Sequence, residues 1–306
     1  MRDEAKGDGF VNSQGKQMAI TYDLVKEVTA HLYERSLKQI PSNSKQALKR
    51  AQATETNASA RRTLGFMLDS ANVAEKTGRF VCSDAGVPTY SIKIGTAARM
   101  EGDIKRAIVD GFAHLVETID PPILQFVTNP LTNERSYKGK DMPIVSYDLI
   151  DGADYLDITC SPKALGSGRW AALEVFSYPT LDQIEKYIME CVLKAGGQHC
   201  PPVVIGVGIG GSFDHAAKLA KDASLRPFGE RNPEPIVADM EERLLKAVNE
   251  TGFGPMGVGG STTAFGVHIE YSSGHGFTPI AVSFNCWINR RTRARIHNSG
   301  LVEYVE

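Results

Sequence analysis

The chain has 306 residues, 42% of them hydrophobic and 23% charged, with a formal net charge of −2. That length supplies enough apolar surface for one large domain or two lobes with cores of their own. The near-balanced charge offers no basic field for nucleic acid and no acidic tail, and no apolar run approaches the roughly 20 residues of a membrane span.

Residues 1–17, MRDEAKGDGFVNSQGKQ, are polar and mixed in charge, without the apolar run of a signal peptide. They read as a disordered tail on a soluble, cytoplasmic protein. The remainder, 18–306, reads as one domain with a helical part over about 18–78 and a mixed α/β body over about 79–306. In the helical part Leu24, Val25, Val28, Leu32 and Leu37 recur at helical spacing, and two further helical segments follow, the second ending at Gly78. A loop over 83–88 then leads to a β-like run at 89–94. An amphipathic helix over 103–119 presents Ile104, Ile108, Phe112, Leu115 and Ile119 on one face. IVSYDLI and YLDITC read as strands, and SPKALGSGRW as a glycine-containing loop. Thr180 and Gln183 form a capping box ahead of a helix with Leu181, Ile184, Ile188 and Val192 as its stripe, closed by Gly196 and Gly197. A short strand from Val203, a glycine cluster and a helix follow. Another helix starts near Asn232 and Pro233, with Ile236, Met240, Leu244 and Val248 on its buried side. Strands around 265–270 and 279–286 complete the pattern.

The glycine cluster GVGIGG satisfies the dinucleotide fingerprint formally at Gly206, Gly208 and Gly211. That reading also requires a second strand ending in an acidic residue about 20 positions on. LRPFGERNPEP stands there instead, rich in proline and charge, and no Walker lysine is present. The alternative is that these glycines only permit close strand–helix packing. An NAD-dependent oxidoreductase therefore remains a weak rival.

Five cysteines, at 82, 160, 191, 200 and 286, form no CxxC pair, and an odd count in a long chain argues against a disulfide framework. Cys160 ends a strand and Cys191 sits beside a helix stripe, so both read as core thiols. His268, alternating with Val267 and Ile269, reads as structural. Cys82, Cys200 and Cys286 each stand at a loop junction, where side chains from distant sequence can meet. The residues alone leave two readings open, a converging ligand set or three unrelated thiols.

CPPVVIGVGIGGSFDHAAKLAKDASLRPFGERNP, GFGPMGVGGSTTAFGVHIE, CWINRR, CSDAG and, more loosely, SPKALGSGRW resemble the signatures of the iron–sulfur (class I) fumarase and L(+)-tartrate dehydratase α-subunit family. The resemblance covers roughly residues 20–295. It implies the α/β fold of that family's N-terminal domain and a 4Fe–4S cluster on Cys82, Cys200 and Cys286, with one iron free of protein ligand. It implies reversible addition or loss of water on a small hydroxy-carboxylic acid, the open iron serving as Lewis acid. Asp84 and His275 match catalytic family positions, and Ser83, Gly166, Ser167 and Arg290 fall where substrate contacts are expected. Because the chain stops shortly after the last cysteine, a separate β subunit is expected to complete the site in an α2β2 assembly. Ser83 replaces the family's glutamine, and Leu124 aligns where an arginine is usual. Both changes favour a substrate other than plain fumarate or malate, and they keep open a cluster-free paralogue acting as a scaffold subunit.

Overall fold

A computed structural model describes residues 18–305, so the proposed tail at 1–17 lies outside the described residues. Helices and strands mix throughout, and the fold class is α/β, as the sequence pattern implies. The chain forms two compact units, each assembled from separated stretches. Among the described residues one comprises 18–36, Val87–Pro162 and 292–305; the other comprises Leu37–Gly86 and Lys163–Arg291. No helix among the described residues is long and apolar enough to cross a membrane.

The first unit carries a five-stranded sheet in the order Val302–Val305, Thr292–His297, Tyr155–Cys160, Thr89–Gly95, Ile144–Ile150. Only the last pair is parallel. The two C-terminal strands escaped the sequence reading. Thr292, Ala294 and Ile296 do alternate inward, but Arg293 and Arg295 between them suppress the β-like character of the run. Those arginines meet Asp157, which is 2% exposed, with Arg293 Nε donating to Oδ1 at 2.7 Å. Helix Ile104–Thr118 buries Ile104, Ile108, Phe112 and Leu115, and Asp103 Oδ1 caps it by accepting from Arg106 N at 2.9 Å.

The second unit holds a four-stranded sheet in the order Ala264–Ser272, Val203–Gly210, Phe277–Asn285, Ala172–Ser177. The first pair is parallel and the others antiparallel. The edge strand Ala172–Ser177 also escaped the sequence reading, because no residue of it is buried and no inward-outward alternation exists to be read. Successive residues of a strand face opposite ways. Val203, Ile205 and Val207 therefore pack with Ile184, Ile188 and Val192 of helix Leu181–Ala195 and with Met240, Leu244 and Val248 of helix Pro235–Glu250. The Thr180–Gln183 capping box is present. Ile236, placed on the buried stripe from sequence, is 57% exposed, and Val237 turns inward instead. At about 100° per residue, three steps of four back from Val248 drift by about 120°, off the buried face.

Gly206 and Gly208 face the opposite side and belong to the strand rather than to a turn. Helix Phe213–Ala223 lies directly on them. A Cβ at Gly206 would stand 2.1 Å from the Ala220 carbonyl oxygen, and one at Gly208 would stand 2.0 Å from that of Ala216. Ala216, Ala220 and Ala281 complete this small-residue interface. The turn proper is at Gly210 and Gly211, both at positive φ. His268 is a buried member of the same face, its Nδ1 3.1 Å from the Ala223 carbonyl oxygen. In the same unit helices Ser42–Thr54 and Ala58–Thr77 pack together and bury Leu48, Leu64, Met67 and Ala71 in a cluster that includes Cys286 and Ile288. The second of these helices ends at Gly78, in the left-handed conformation, as its sequence implies.

Candidate active site

The cysteine-bearing loops all belong to the second unit, and sheet geometry decides where they go. Cys200 precedes the strand Val203–Gly210, and Cys286 follows the strand Phe277–Asn285, which runs antiparallel to it. The start of one therefore lies beside the end of the other. Trp287 N donates to the Cys200 carbonyl oxygen at 3.2 Å. Cys82 reaches the same region from the far end of helix Ala58–Thr77, where Val81 N donates to the Leu37 carbonyl oxygen at 3.0 Å. Cys82 and Cys200, both half-buried, pack against the apolar cluster that holds buried Cys286.

The loop SPKALGSGRW enters this region through three contacts. Asp84 Oδ2 accepts from Leu165 N at 2.8 Å, while its Oδ1 accepts from Gly86 N at 2.9 Å. A Cβ on Gly86 would stand 2.9 Å from the Lys163 carbonyl carbon, and one on Gly166 would stand 2.9 Å from Cys200 Sγ. Only glycine at these two places lets the backbones approach so closely. Gly166 and the buried Ser167 begin the short helix Leu165–Gly168, where amides lack intrahelical acceptors. Ser83 is exposed between Cys82 and Asp84.

Electrostatics reflect the same convergence. Burial pushes the Cys200 thiol up to about 11, reinforced by the charges of Cys286, Cys82 and Asp84. Burial also raises the Cys286 thiol, while the Arg290 guanidinium opposes that rise. Cys200 adopts φ +58, an unusual conformation for a residue with a Cβ and a form of strain that concentrates at functional sites. Among the described residues no group of three or more His, Cys, Asp or Glu side chains is spaced to hold a single metal ion. A single ion needs its sulfur ligands within one coordination sphere, at about 2.3 Å from the metal. A multi-iron cluster spreads its thiolates over several irons and asks for a wider triangle.

The structure places the remaining expected residues differently. Arg290 is not a surface charge: it is 3% exposed, and its Nε and both terminal nitrogens have no hydrogen-bond partner among the described residues. His275 is exposed in the loop before Phe277, its ring stacked on Phe277 at 5.8 Å. The nine-residue strand Phe277–Asn285 separates it from Cys286. At roughly 3.4 Å per residue that is about 30 Å, so within one chain His275 does not join the cysteines. Cys160 and Cys191 are buried, at 0% and 8% exposure.

Two residues of the site escaped the sequence reading. Lys163 Nζ donates to the Phe284 carbonyl oxygen at 2.7 Å, to Asn285 Oδ1 at 3.0 Å and to Ser283 Oγ at 3.3 Å, tying the loop to the strand that delivers Cys286. Burial pushes its amine down to about 8. His199 is fully buried next to Cys200, with neither ring nitrogen bonded among the described residues and its ring 5.1 Å from that of Phe284. Only its adjacency to Cys200 marks it in the sequence.

Comparison with known proteins adds an independent finding. A family model described as fumarate hydratase (Fumerase) matches residues 26–295. A protein of Methanocaldococcus jannaschii, whose name assigns it provisionally as an L(+)-tartrate dehydratase subunit alpha, is 33% identical over 279 residues, covering 89% of this chain and 97% of its own length. The L(+)-tartrate dehydratase subunit alpha of Escherichia coli strain K12 is 28% identical over 294 residues, covering 94% of this chain and 95% of its own.

Proposed function

The chain belongs to the fumarate hydratase family of hydro-lyases, and from that premise we propose that it is the α subunit of a 4Fe–4S-dependent hydro-lyase acting on a small hydroxy-carboxylic acid. The observation that carries this reading is the meeting of the Cys82, Cys200 and Cys286 loops on one side of the second unit, with the Gly166 backbone against the Cys200 sulfur. The donor set fits the group: three soft thiolates suit iron–sulfur chemistry. A buried guanidinium without a partner suits the anion that such a unit forms.

Cys82, Cys200 and Cys286 hold the cluster. When bound, it supplies an open iron that acts as Lewis acid toward a substrate hydroxyl and carboxylate. The chain's own residues prepare the setting. Asp84, fixed by two backbone amides, presents a carboxylate next to the cysteines for proton transfer at the departing hydroxyl. The amides of Gly166 and Ser167 hold a substrate carboxylate, and Ser83, exposed between Cys82 and Asp84, contacts the substrate with a shorter reach than the family's glutamine. His275 enters proton transfer only from a second copy of the chain, in keeping with an α2β2 assembly. A separate β subunit supplies the remaining groups, and a reducing cytoplasm preserves the cluster. The shorter Ser83 and the uncharged Leu124 point to tartrate or a related hydroxy acid rather than fumarate.

The test is anaerobic reconstitution with iron and sulfide, followed by metal analysis and a hydroxy-acid screen with the β subunit. Brown protein containing iron and acid-labile sulfide, lost in Cys200→Ser and Cys286→Ser, is the expected result. Full dehydratase activity in colourless, iron-free protein refutes the reading.

A further inference from the structure

Asn289 N donates to the Cys286 carbonyl oxygen at 2.8 Å, closing a tight turn that Arg290 directly follows. The turn is pinned from two sides: Asn285 Nδ2 lies 3.4 Å from Asn289 Oδ1, and Asn289 Nδ2 lies 3.4 Å from Ser44 Oγ. Arg290 lies in the interior at 3% exposure, with Nε and both terminal nitrogens unpaired among the described residues. Its neighbour Arg291 behaves otherwise, donating to the Leu225 carbonyl oxygen. A buried charge normally has a partner, because taking an ion out of water is costly. Five donors in a rigid fork call for an anion.

On the reading that these cysteines hold a 4Fe–4S cluster, we propose that Arg290 is the cluster's counter-charge rather than a substrate clamp: its guanidinium compensates the anionic thiolate–sulfide unit at Cys286. This revises the expectation that Arg290 contacts the substrate. Arg290 is a positioning residue on this account, acting on the cluster's retention and electron affinity. Hydrogen bonds and net charge around the sulfurs are established levers on cluster potential.

The proposal predicts opposite signs in the empty and loaded protein. In the cluster-free protein the unpaired guanidinium is a liability, so Arg290→Met melts above the wild type. In the reconstituted protein Arg290→Met loses iron to a chelator several-fold faster, and its cluster midpoint, followed by EPR during reductive titration, moves to lower potential. Arg290→Lys, which keeps the charge, stays close to the wild type in potential. Should Arg290→Met leave iron release and potential unchanged while KM rises several-fold, Arg290 is a substrate clamp and the proposal is overturned. Should cluster-free Arg290→Met melt below the wild type, a partner within the chain already satisfies the guanidinium, and the proposal fails again. A wild-type protein that takes up no iron and sulfide defeats the cluster reading itself, and this one with it. The wild-type metal analysis separates that failure from the others.

Discussion

Lys163→Met isolates the anchor that sets the position of Cys286. The edge strand Ala172–Ser177 pairs only with residues 277–282 of its neighbour, so the end of the strand that leads to Cys286 is paired on one side alone, with Val203–Gly210. Lys163 bonds to that end as well, with hydrogen bonds of 2.7 Å and 3.0 Å and a longer one of 3.3 Å. A hydrogen bond to a charged group contributes about 1.5–3 kcal/mol, so the two short bonds are worth about 3–6 kcal/mol gross. Burial of the ammonium offsets part of this, in line with its lowered amine. Methionine matches the stem in length but leaves buried acceptors unpaired, and the expected net loss is on the order of 3 kcal/mol. Urea unfolding of the cluster-free protein at pH 7 measures it as a lower midpoint at unchanged slope. Iron uptake should fall as well, because the end of the strand that carries Cys286 is then held by the Val203–Gly210 ladder alone. A stability within about 0.5 kcal/mol of wild type, with full iron uptake, would refute the anchor role.

Two further outcomes test the frame around the site. Gly206→Ala forces a Cβ to within 2.1 Å of the Ala220 carbonyl oxygen. It should lift helix Phe213–Ala223 and cost about 1–3 kcal/mol in a thermal melt; an unchanged melting point would contradict the close packing. His268 is pushed down from 6.5 to about 4, first by burial and then by the Arg226 charge, so the folded state binds its proton less tightly than the unfolded state. Stability present above pH 6.5 is therefore lost as pH falls toward 4, by about 3 kcal/mol from this residue. His268→Gln should flatten the corresponding slope in denaturant midpoints measured across that range.

The sequence by itself determined the helices with strong apolar stripes and marked caps, such as Ile104–Thr118 and Leu181–Ala195, and the motifs that carry the family likeness. These are local: a stripe, a capping box or a Cys-Pro-Pro junction is complete within a few residues. The edge strand Ala172–Ser177 and the strand Thr292–His297 were illegible, because open faces and arginines paired to a distant aspartate leave no hydrophobic period. Glycines 206 and 208 resembled a phosphate turn until the helix packed on them gave their reason. Tertiary structure alone decided which site residues meet. Antiparallel pairing of two strands puts Cys200 beside Cys286 and sends His275 to the far end of the same sheet. Burial, a property of the whole packed unit, turned Arg290 from an expected substrate contact into a cation in want of an anion. Separation along the chain carries no information about either, since both depend on strand direction and on what packs around a side chain once the sheet has formed.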